Sequence, residues 1–253
     1  MSRPLPKRAM LVAAGLGTRL RPLTDRVPKC MVPVAGRPLI EHTVRWLIGH
    51  GVTEIAINLH HLPEQVRAHF GDGSKFGGAI AYSEEPTLLG TAGAVKKMEA
   101  IFAGAPFFVW YGDNLSRCDL PALWRLHDQR GGLATMALHH RDDPTQSGIV
   151  GLESDDRIVR FLEKPKPEQV FSHWVNAGIL ALESEVLGWI PPGVPHDFSR
   201  EVFPAMIAQG QRLNGYRLSE HEGLWWIDTP ADLARVQALD WAPPAGSVPG
   251  ATS

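Results

Sequence analysis

Near its start the chain carries the stretch Ala13-Ala14-Gly15-Leu16-Gly17-Thr18-Arg19-Leu20-Arg21-Pro22-Leu23-Thr24, followed closely by Pro28-Lys29. A short apolar run, Ala9 to Ala13, precedes it and predicts a buried first strand. The glycines therefore fall where the carboxyl end of a strand meets a loop, which is where open α/β sheets bind ligands. The stretch predicts an α/β fold with a ligand site at this edge of the sheet.

The composition of this loop indicates an anionic ligand. Gly15 and Gly17 allow the backbone to approach a ligand closely and to turn several N–H groups toward one point. Arg19, Arg21 and Lys29 add positive charge a few residues later. Fixed charge around such a group of N–H donors suits a triphosphate. The alternative is a glycine-rich turn whose arginines are merely solvated.

The spacing excludes two common phosphate-binding motifs. A Walker loop places Gly-Lys-Ser/Thr directly before its helix, whereas this chain has Gly17-Thr18-Arg19. Leu20 occupies the place of the third glycine of a dinucleotide fingerprint. A nicotinamide-dependent oxidoreductase, the rival enzyme class, is therefore disfavoured.

Composition limits the function further. The chain has 253 residues, 44% of them hydrophobic, and we expect a single α/β domain over residues 1–240 with a disordered tail over 241–253. The 25 basic and 27 acidic residues nearly balance, which predicts binding to neither nucleic acid nor a membrane. Cys30 and Cys118 lack metal-ligand spacing and indicate reduced thiols in a cytoplasmic protein. We expect neither a signal peptide nor a membrane span, and a monomer or homodimer.

Apolar patterning predicts alternating strands and helices, and hence parallel strand pairing, in the first half of the chain. The predicted strands are 9–13, 54–59, 79–83, 106–111, 133–139, 148–152, 157–162 and 176–182, the sixth and seventh forming a hairpin. The predicted helices are 38–49, 63–70, 91–102, 120–129, 199–209 (with Ser199 as its N-cap) and 230–239. We expect residues 9–115 to form a nucleotide-binding half and residues 116–240 a mixed lobe for a second substrate.

Two aspartates follow buried strands. Asp113 lies just beyond the apolar strand that ends at Tyr111, and Asp228 follows Trp225-Trp226-Ile227. Since Mg²⁺ takes one or two carboxylates together with phosphate oxygens and water, Asp113 and Asp228 would suffice to hold it. The alternatives are a turn aspartate at 113 and a helix N-cap at 228.

Two further motifs suit a sugar phosphate. In Glu163-Lys164-Pro165, at a strand end, the acid could accept from sugar hydroxyls and the lysine could contact a phosphate. Asn176-Ala177-Gly178 could likewise hydrogen-bond a sugar. Taken alone, the first is a surface charge pair and the second the opening of a strand.

Five motifs in series resemble the signature set of the sugar-1-phosphate nucleotidyltransferases. They are Ala14-Gly15-Leu16-Gly17-Thr18-Arg19-Leu20 with Pro28-Lys29, Leu89-Gly90-Thr91-Ala92-Gly93-Ala94, Gly112-Asp113-Asn114, Glu163-Lys164-Pro165 and Asn176-Ala177-Gly178. The resemblance implies a Rossmann-like three-layer α/β/α fold with a mostly parallel sheet. It also implies the Mg²⁺-dependent reaction of an NTP with a sugar 1-phosphate to give an NDP-sugar and pyrophosphate.

The same resemblance implies substrates. The form of the segment from Leu89 to Ala94, which lies along the nucleobase in this family, is most like that of mannose-1-phosphate guanylyltransferases. GTP and mannose 1-phosphate are therefore the expected pair. Heptose or N-acetylmuramate phosphates, and uridylyl or thymidylyl transfer, remain alternatives.

The residue roles implied by the resemblance fall into groups. Arg19 would hold the leaving phosphates and Lys29 the α-phosphate, while Asp113 and Asp228 would hold Mg²⁺. The nucleotide-binding set is Ala13, Ala14, Gly15, Gly17, Thr18, Gly90, Thr91 and Ala92. The sugar-phosphate set is Asn114, Gly148, Glu163, Lys164 and Asn176.

The chain departs from the family pattern at two places. The usual Trp-x-Asp-x-Gly-Thr-Pro is shortened, since Trp226-Ile227-Asp228 runs directly into Thr229-Pro230. A shift of two residues keeps the same face of a strand, so Asp228 is still expected to reach the metal. The shortening also leaves open a nucleotide-sugar-binding regulatory paralogue without turnover. Ser147 stands where an aromatic residue is common, which is expected to alter the sugar pocket.

Overall fold

The computed structural model describes residues 2–239, which contain thirteen strands and seven α-helices. The strands are β1 (Arg8–Val12), β2 (Pro33–Val34), β3 (Arg37–Pro38), β4 (Glu54–Leu59), β5 (Ala79–Glu84), β6 (Phe107–Tyr111), β7 (Asn114–Ser116), β8 (Ala134–His140), β9 (Gly148–Leu152), β10 (Ile158–Glu163), β11 (Trp174–Leu182), β12 (Leu213–Arg217) and β13 (Leu224–Trp226). The helices are α1 (Leu39–Gly49), α2 (Pro63–Phe70), α3 (Gly90–Lys97), α4 (Glu99–Phe102), α5 (Leu120–Arg130), α6 (Phe203–Ala208) and α7 (Pro230–Gln237).

A nine-stranded sheet forms the centre of the molecule. Seven strands lie side by side in the order β5-β4-β1-β6-β11-β8-β12, and β11 runs opposite to the other six. The predicted mostly parallel sheet is therefore confirmed. The predicted hairpin is also present, because β9 and β10 pair antiparallel and join the first part of β11. The carboxyl ends of β1, β6 and β8 consequently share one edge.

Alternate residues of the central strands pack on opposite faces of the sheet. In β1, Ala9 and Leu11 belong to one apolar cluster, whereas Met10 belongs to a second one. The first cluster includes residues of α1, α2 and α5, and the second includes residues of α3 and α6. Burial on both faces explains why these strands read as continuous apolar runs. The predicted three-layer α/β/α arrangement is confirmed.

Two predicted helices have different boundaries in the structure. The helix predicted over 91–102 is divided into α3 and α4 at Met98, whose φ of −105° and ψ of 23° leave the helical range. The helix predicted over 199–209 begins with a π-helical turn, Phe198–Val202, before α6. Its N-cap is Asp197, not Ser199, because the Asp197 carboxylate accepts from the Ser199 N–H.

The sequence patterning missed two strands that matter for the site. β12 has Asn214 and Gly215 at its centre, which interrupts the apolar alternation that identifies a strand. β7 is three residues long and pairs with β13. After this pair the Ile227 N–H donates to the Asp113 carbonyl at 3.2 Å, so the segment that carries Asp228 lies against the end of β6.

Two expectations concern the ends and the surface of the chain. The predicted tail over 241–253 lies outside the described residues. Within residues 2–239, the helices have neither the length nor the apolar character that crossing a membrane requires.

Candidate active site

The loop after β1 folds back over Lys29. Gly17 has a φ of +61°, and a Cβ at this position would lie 2.8 Å from the Lys29 Cβ. The Thr24 hydroxyl donates to the Gly17 carbonyl at 2.8 Å and closes the loop. A residue with a side chain at position 17 would be strained in this conformation and would push the loop away from Lys29.

Lys29 joins the two aspartates that the sequence identified. Its Nζ lies 2.9 Å from Asp113 Oδ2 and 2.7 Å from Asp228 Oδ1, and only 9% of its side chain is exposed. Burial on its own would lower the pKa of the Lys29 ammonium, but the charges of Asp113 and Asp228 outweigh it, so the pKa is raised. Lys29 therefore stays protonated at neutral pH.

The loop arginines take different positions. Arg19 Nη2 lies 3.0 Å from Asp228 Oδ1, and 59% of the Arg19 side chain remains exposed. Arg21 instead pairs with Asp25 at 3.0 Å. The structure thus brings Arg19, Lys29, Asp113 and Asp228 together despite the shortened segment after Asp228, and it directs Arg21 elsewhere.

The same two aspartates fit a divalent cation. Within residues 2–239 no hydrogen bond is made to Asp113 Oδ1 or Asp228 Oδ2, while the other oxygen of each accepts from Lys29. No cluster of three or more His, Cys, Asp or Glu side chains suited to a metal occurs in this part of the chain. Mg²⁺ commonly takes only one or two protein carboxylates and completes its shell with phosphate oxygens and water, so this donor set suits it.

A pocket of about 230 Å³ lies beside the lysine. It is lined by Val12, Ala13, Ala14, Gly15, Lys29, Cys30, Asn58, Glu85, Leu88, Gly90, Thr91, Tyr111, Gly112, Asp113 and Asp197. Much of the predicted nucleotide-binding set therefore borders one cavity. Gly17 and Thr18 belong to the loop, but they do not line the cavity.

One wall of the pocket is a buried polar network. Asn58 Oδ1 accepts from the Ala13 N–H at 2.7 Å, so that N–H is already engaged. Asn58 Nδ2 donates to Glu85 Oε1 at 2.9 Å, and the Leu89 N–H donates to Glu85 Oε2 at 3.0 Å. Glu85 is 2% exposed, and no basic side chain of residues 2–239 forms an ion pair with it.

The start of α3 also lines the pocket, and it is held by the segment before the π-helical turn. Gly90 has a φ of +71°, and a Cβ there would lie 2.5 Å from the His196 carbonyl oxygen. The Ala92 N–H donates to that same carbonyl at 3.0 Å, and Ala92 is fully buried. Ala92 was predicted to bind nucleotide, but in the structure its N–H and its side chain both face the protein. Thr91 lines the pocket and donates to Asp197 Oδ2 at 3.0 Å.

The predicted sugar-binding side lies at the hairpin and at β11. Glu163 pairs with Gly148, and a Cβ at position 148 would lie 2.7 Å from Glu163 Oε2, so this glycine makes room for the carboxylate. Burial and the nearby Asp197 charge raise the pKa of the Glu163 carboxyl, and the charges of Lys164 and Arg200 oppose that shift. Lys164 is exposed and has a φ of 49°, a strained value for a non-glycine residue.

The two asparagines differ in position. Asn114 is 1% exposed, accepts from Trp110 Nε1 at 2.9 Å and donates to the Ala177 carbonyl at 3.0 Å. In this structure the side chain is enclosed in the core and ties β7 to β11, and its contact with a sugar phosphate stays a prediction. Asn176 is half-buried, and its Oδ1 accepts from the Gly178 N–H at 2.8 Å.

Sequence reasoning missed several pocket residues. Asn58, within the apolar strand β4, and Glu85, directly after β5, are polar residues at strand ends that face the site. The Tyr111 hydroxyl is buried without a hydrogen-bond partner among the described residues, and burial raises its pKa. Polar residues at the carboxyl end of each predicted parallel strand would have identified Asn58 and Glu85. No sequence signal distinguishes Tyr111 or Asp197.

Comparisons with known sequences agree with this geometry. Residues 8–237 match the family described as Nucleotidyl transferase. The chain is 35% identical over 233 residues to the mannose-1-phosphate guanylyltransferase of Mycobacterium tuberculosis, covering 91% of this chain and 63% of that protein. It is 36% identical over 216 residues to the UTP–glucose-1-phosphate uridylyltransferase of a Synechocystis strain, covering 80% and 56% of the two chains. This chain thus spans roughly three fifths of the length of these relatives.

Solved structures share the fold. A UDP-glucose pyrophosphorylase complexed with UDP-glucose superposes with a TM-score of 0.79 at 19% identity, covering 92% of this chain and 97% of that one. The HddC protein of Yersinia pseudotuberculosis, complexed with GMP-PN, gives a TM-score of 0.75 at 20% identity, covering 91% and 98%. The family match and these relatives show that the chain belongs to the nucleotidyl transferase family, as the signature motifs indicated.

The raised pKa of Glu163 gives a prediction for stability. A carboxyl whose pKa is higher in the folded state holds its proton more tightly there, so folding is penalised as pH rises from about 4.3 through the folded pKa. We expect Glu163→Gln to raise the thermal unfolding midpoint at pH 7 and to have little effect below about pH 4. Calorimetric scans of the parent and of Glu163→Gln across this pH range measure the two unfolding midpoints. An equal or lower unfolding midpoint for Glu163→Gln at pH 7 would contradict a raised pKa for Glu163 in the folded protein.

Proposed function

We propose that the chain transfers a nucleotidyl group from an NTP to a sugar 1-phosphate, giving an NDP-sugar and pyrophosphate. The observation that carries this proposal is the convergence of Lys29, Asp113 and Asp228 beside the pocket that the glycine loop borders. The names of the 33–37% identical relatives support the same reaction class. Two buried thiols, Cys30 and Cys118, support a cytoplasmic location.

The proposed reaction needs no protein nucleophile. A phosphate oxygen of the sugar 1-phosphate attacks the α-phosphorus of the NTP, the bond from that phosphorus to the β-phosphate oxygen breaks, and pyrophosphate leaves. Arg19 and the N–H groups of the glycine loop hold the leaving phosphates, and Lys29 neutralises the α-phosphate. Lys164 contacts the attacking phosphate. The sugar is oriented by Glu163, Asn176 and Gly148. Positioning and charge neutralisation supply the rate enhancement.

Asp113 and Asp228 are the residues we propose for Mg²⁺. When bound, the ion would withdraw charge from the phosphate oxygens and lower the barrier to attack. The free oxygen on each carboxylate supports this role.

We propose GTP as the nucleotide. Glu85 is a buried carboxylate in the pocket wall that carries no ion pair, and each of its oxygens keeps a lone pair after bonding to Asn58 or to the Leu89 N–H. Guanine presents two adjacent donor groups, N1–H and N2–H₂, on its Watson–Crick edge, whereas the other bases offer only one donor group there. Mannose 1-phosphate is the proposed sugar substrate, supported by several of the relatives. Uridylyl transfer, named in another relative, is the alternative.

The direct test is pyrophosphate release from four NTPs paired with several sugar 1-phosphates. We expect turnover with at least one pair, highest with GTP, and its loss when EDTA removes divalent cations. The rate of pyrophosphate release by the Asp113→Asn variant, purified identically, should be about 100-fold or more below that of the parent, because a carboxylate that holds the metal is lost. Absence of pyrophosphate above the enzyme-free rate for every pair would refute the proposed function, and nucleotide binding without turnover would favour a regulatory role.

Base selection can be tested at Glu85. We expect Glu85→Gln to lower kcat/KM for GTP by about tenfold or more relative to UTP, because an amide presents only one acceptor to the guanine edge. The matched control is Glu84→Gln, which changes the exposed neighbour that pairs with Arg67 on the sheet surface. An unchanged ratio of GTP to UTP in the Glu85 variant would remove Glu85 from base recognition.

A further inference from the structure

Arg141 lies at the active-site edge of the sheet and is not among the residues proposed above for the reaction. It directly follows β8, which pairs with β11 on the side opposite to β6. Both β6 and β8 run antiparallel to β11, so Arg141 at the end of β8 and Asp113 after β6 lie at the same edge. No sequence motif identified this arginine.

The guanidinium of Arg141 is held by two contacts. Its carbon lies 4.7 Å from the centre of the Trp226 ring, and Nη1 donates to Ser147 Oγ at 3.2 Å. The His139 ring also meets Trp226 edge-on, with the ring centres 5.4 Å apart. Arg141 is half-buried, and no carboxylate of residues 2–239 forms an ion pair with it. A cation in this setting is oriented without a direct carboxylate contact.

Both contacts of Arg141 lead to residues proposed for the reaction. Trp226 pairs with Asn114 across β7 and β13, beside Asp113, and it precedes Asp228 by two positions. The carbonyl of Ser147 accepts from the Lys164 N–H at 3.1 Å. Arg141 is therefore connected through Trp226 to the segments that carry the two carboxylates, and through Ser147 to the backbone of Lys164.

We propose that Arg141 binds the phosphate of the sugar 1-phosphate together with Lys164, an inference that rests on the proposed function. A guanidinium has five N–H donors in one plane, and only one of them is used by Ser147. Stacking on Trp226 fixes that plane, so the remaining donors can meet two phosphate oxygens with little further loss of side-chain freedom. Trp226 is a positioning residue in this arrangement, since it acts through Arg141.

The chain offers a matched control for the stacking itself. Arg160, on the outer strand β10, lies over the Phe171 ring at 3.9 Å. It reproduces the cation–aromatic contact at an exposed position of the hairpin. Loss of stacking alone is therefore measured by Arg160→Gln.

The experiment compares Arg141→Gln, Arg141→Lys and Arg160→Gln in initial-rate assays with the best pair of substrates. We expect Arg141→Gln to raise KM for the sugar 1-phosphate by about 10- to 100-fold, as expected for a lost charged hydrogen bond. KM for the NTP should stay within about twofold of the parent value. For Arg141→Lys, KM for the sugar 1-phosphate should lie between the values of the parent and of Arg141→Gln, because lysine keeps the charge but lacks the planar guanidinium. Arg160→Gln should change neither constant.

Two results would overturn the proposal. One is an unchanged KM for the sugar 1-phosphate in Arg141→Gln, and the other is an equal rise in both KM values, which would indicate a structural disturbance. Calorimetric titration with mannose 1-phosphate in the presence of Mg²⁺ separates this proposal from the proposed function. If the parent chain makes no pyrophosphate, weaker binding to Arg141→Gln than to the parent still supports Arg141, whereas equal binding, or none to the parent, refutes it.

Discussion

The contact of Lys29 with Asp113 and Asp228 is the interaction on which the site depends. It connects three segments that are remote in sequence: the loop after β1, the end of β6 and the segment after β13. Because the lysine side chain is almost fully buried, leaving its ammonium without a carboxylate partner would be costly. The glycine at position 17 and the short strand pair β7–β13 can both be understood as conditions for this contact.

The same contact accounts for how the site handles charge. The buried ammonium between two carboxylates keeps a cation beside the pocket before any substrate binds. The oxygen of each aspartate that does not accept from Lys29 can contact a second cation. The pocket wall carries a buried carboxylate, Glu85. Lys164 and Arg141 lie outside the pocket lining, after strands that end at the same edge of the sheet, and neither forms an ion pair within residues 2–239. That division matches a substrate with a base at one end and phosphates at the other.

Much of this arrangement could be predicted from the sequence because it lies at strand ends. Apolar runs located β1, β4 and β6, and the glycines after β1 and Gly112-Asp113 after β6 indicated the ligand edge. Asp228 could also be predicted, since a two-residue shift preserves the face of a strand. The burial of Asn114 could not be predicted, because it depends on the Ala177 carbonyl of β11, 63 residues away in sequence. Arg141 was missed for the same reason, since only tertiary packing places Trp226 beneath it.

Asp113 and Asp228 are proposed to act as one unit on one cation, and a double-mutant cycle measures whether they do. Pyrophosphate release should be measured with saturating Mg²⁺ for Asp113→Asn, Asp228→Asn and the double variant. If both aspartates serve one ion, the double variant should lose about as much kcat/KM as the more damaging single variant, because residues that act as a unit are strongly non-additive. If the losses in kcat/KM multiply, the two aspartates act independently, which would contradict their binding of one shared cation.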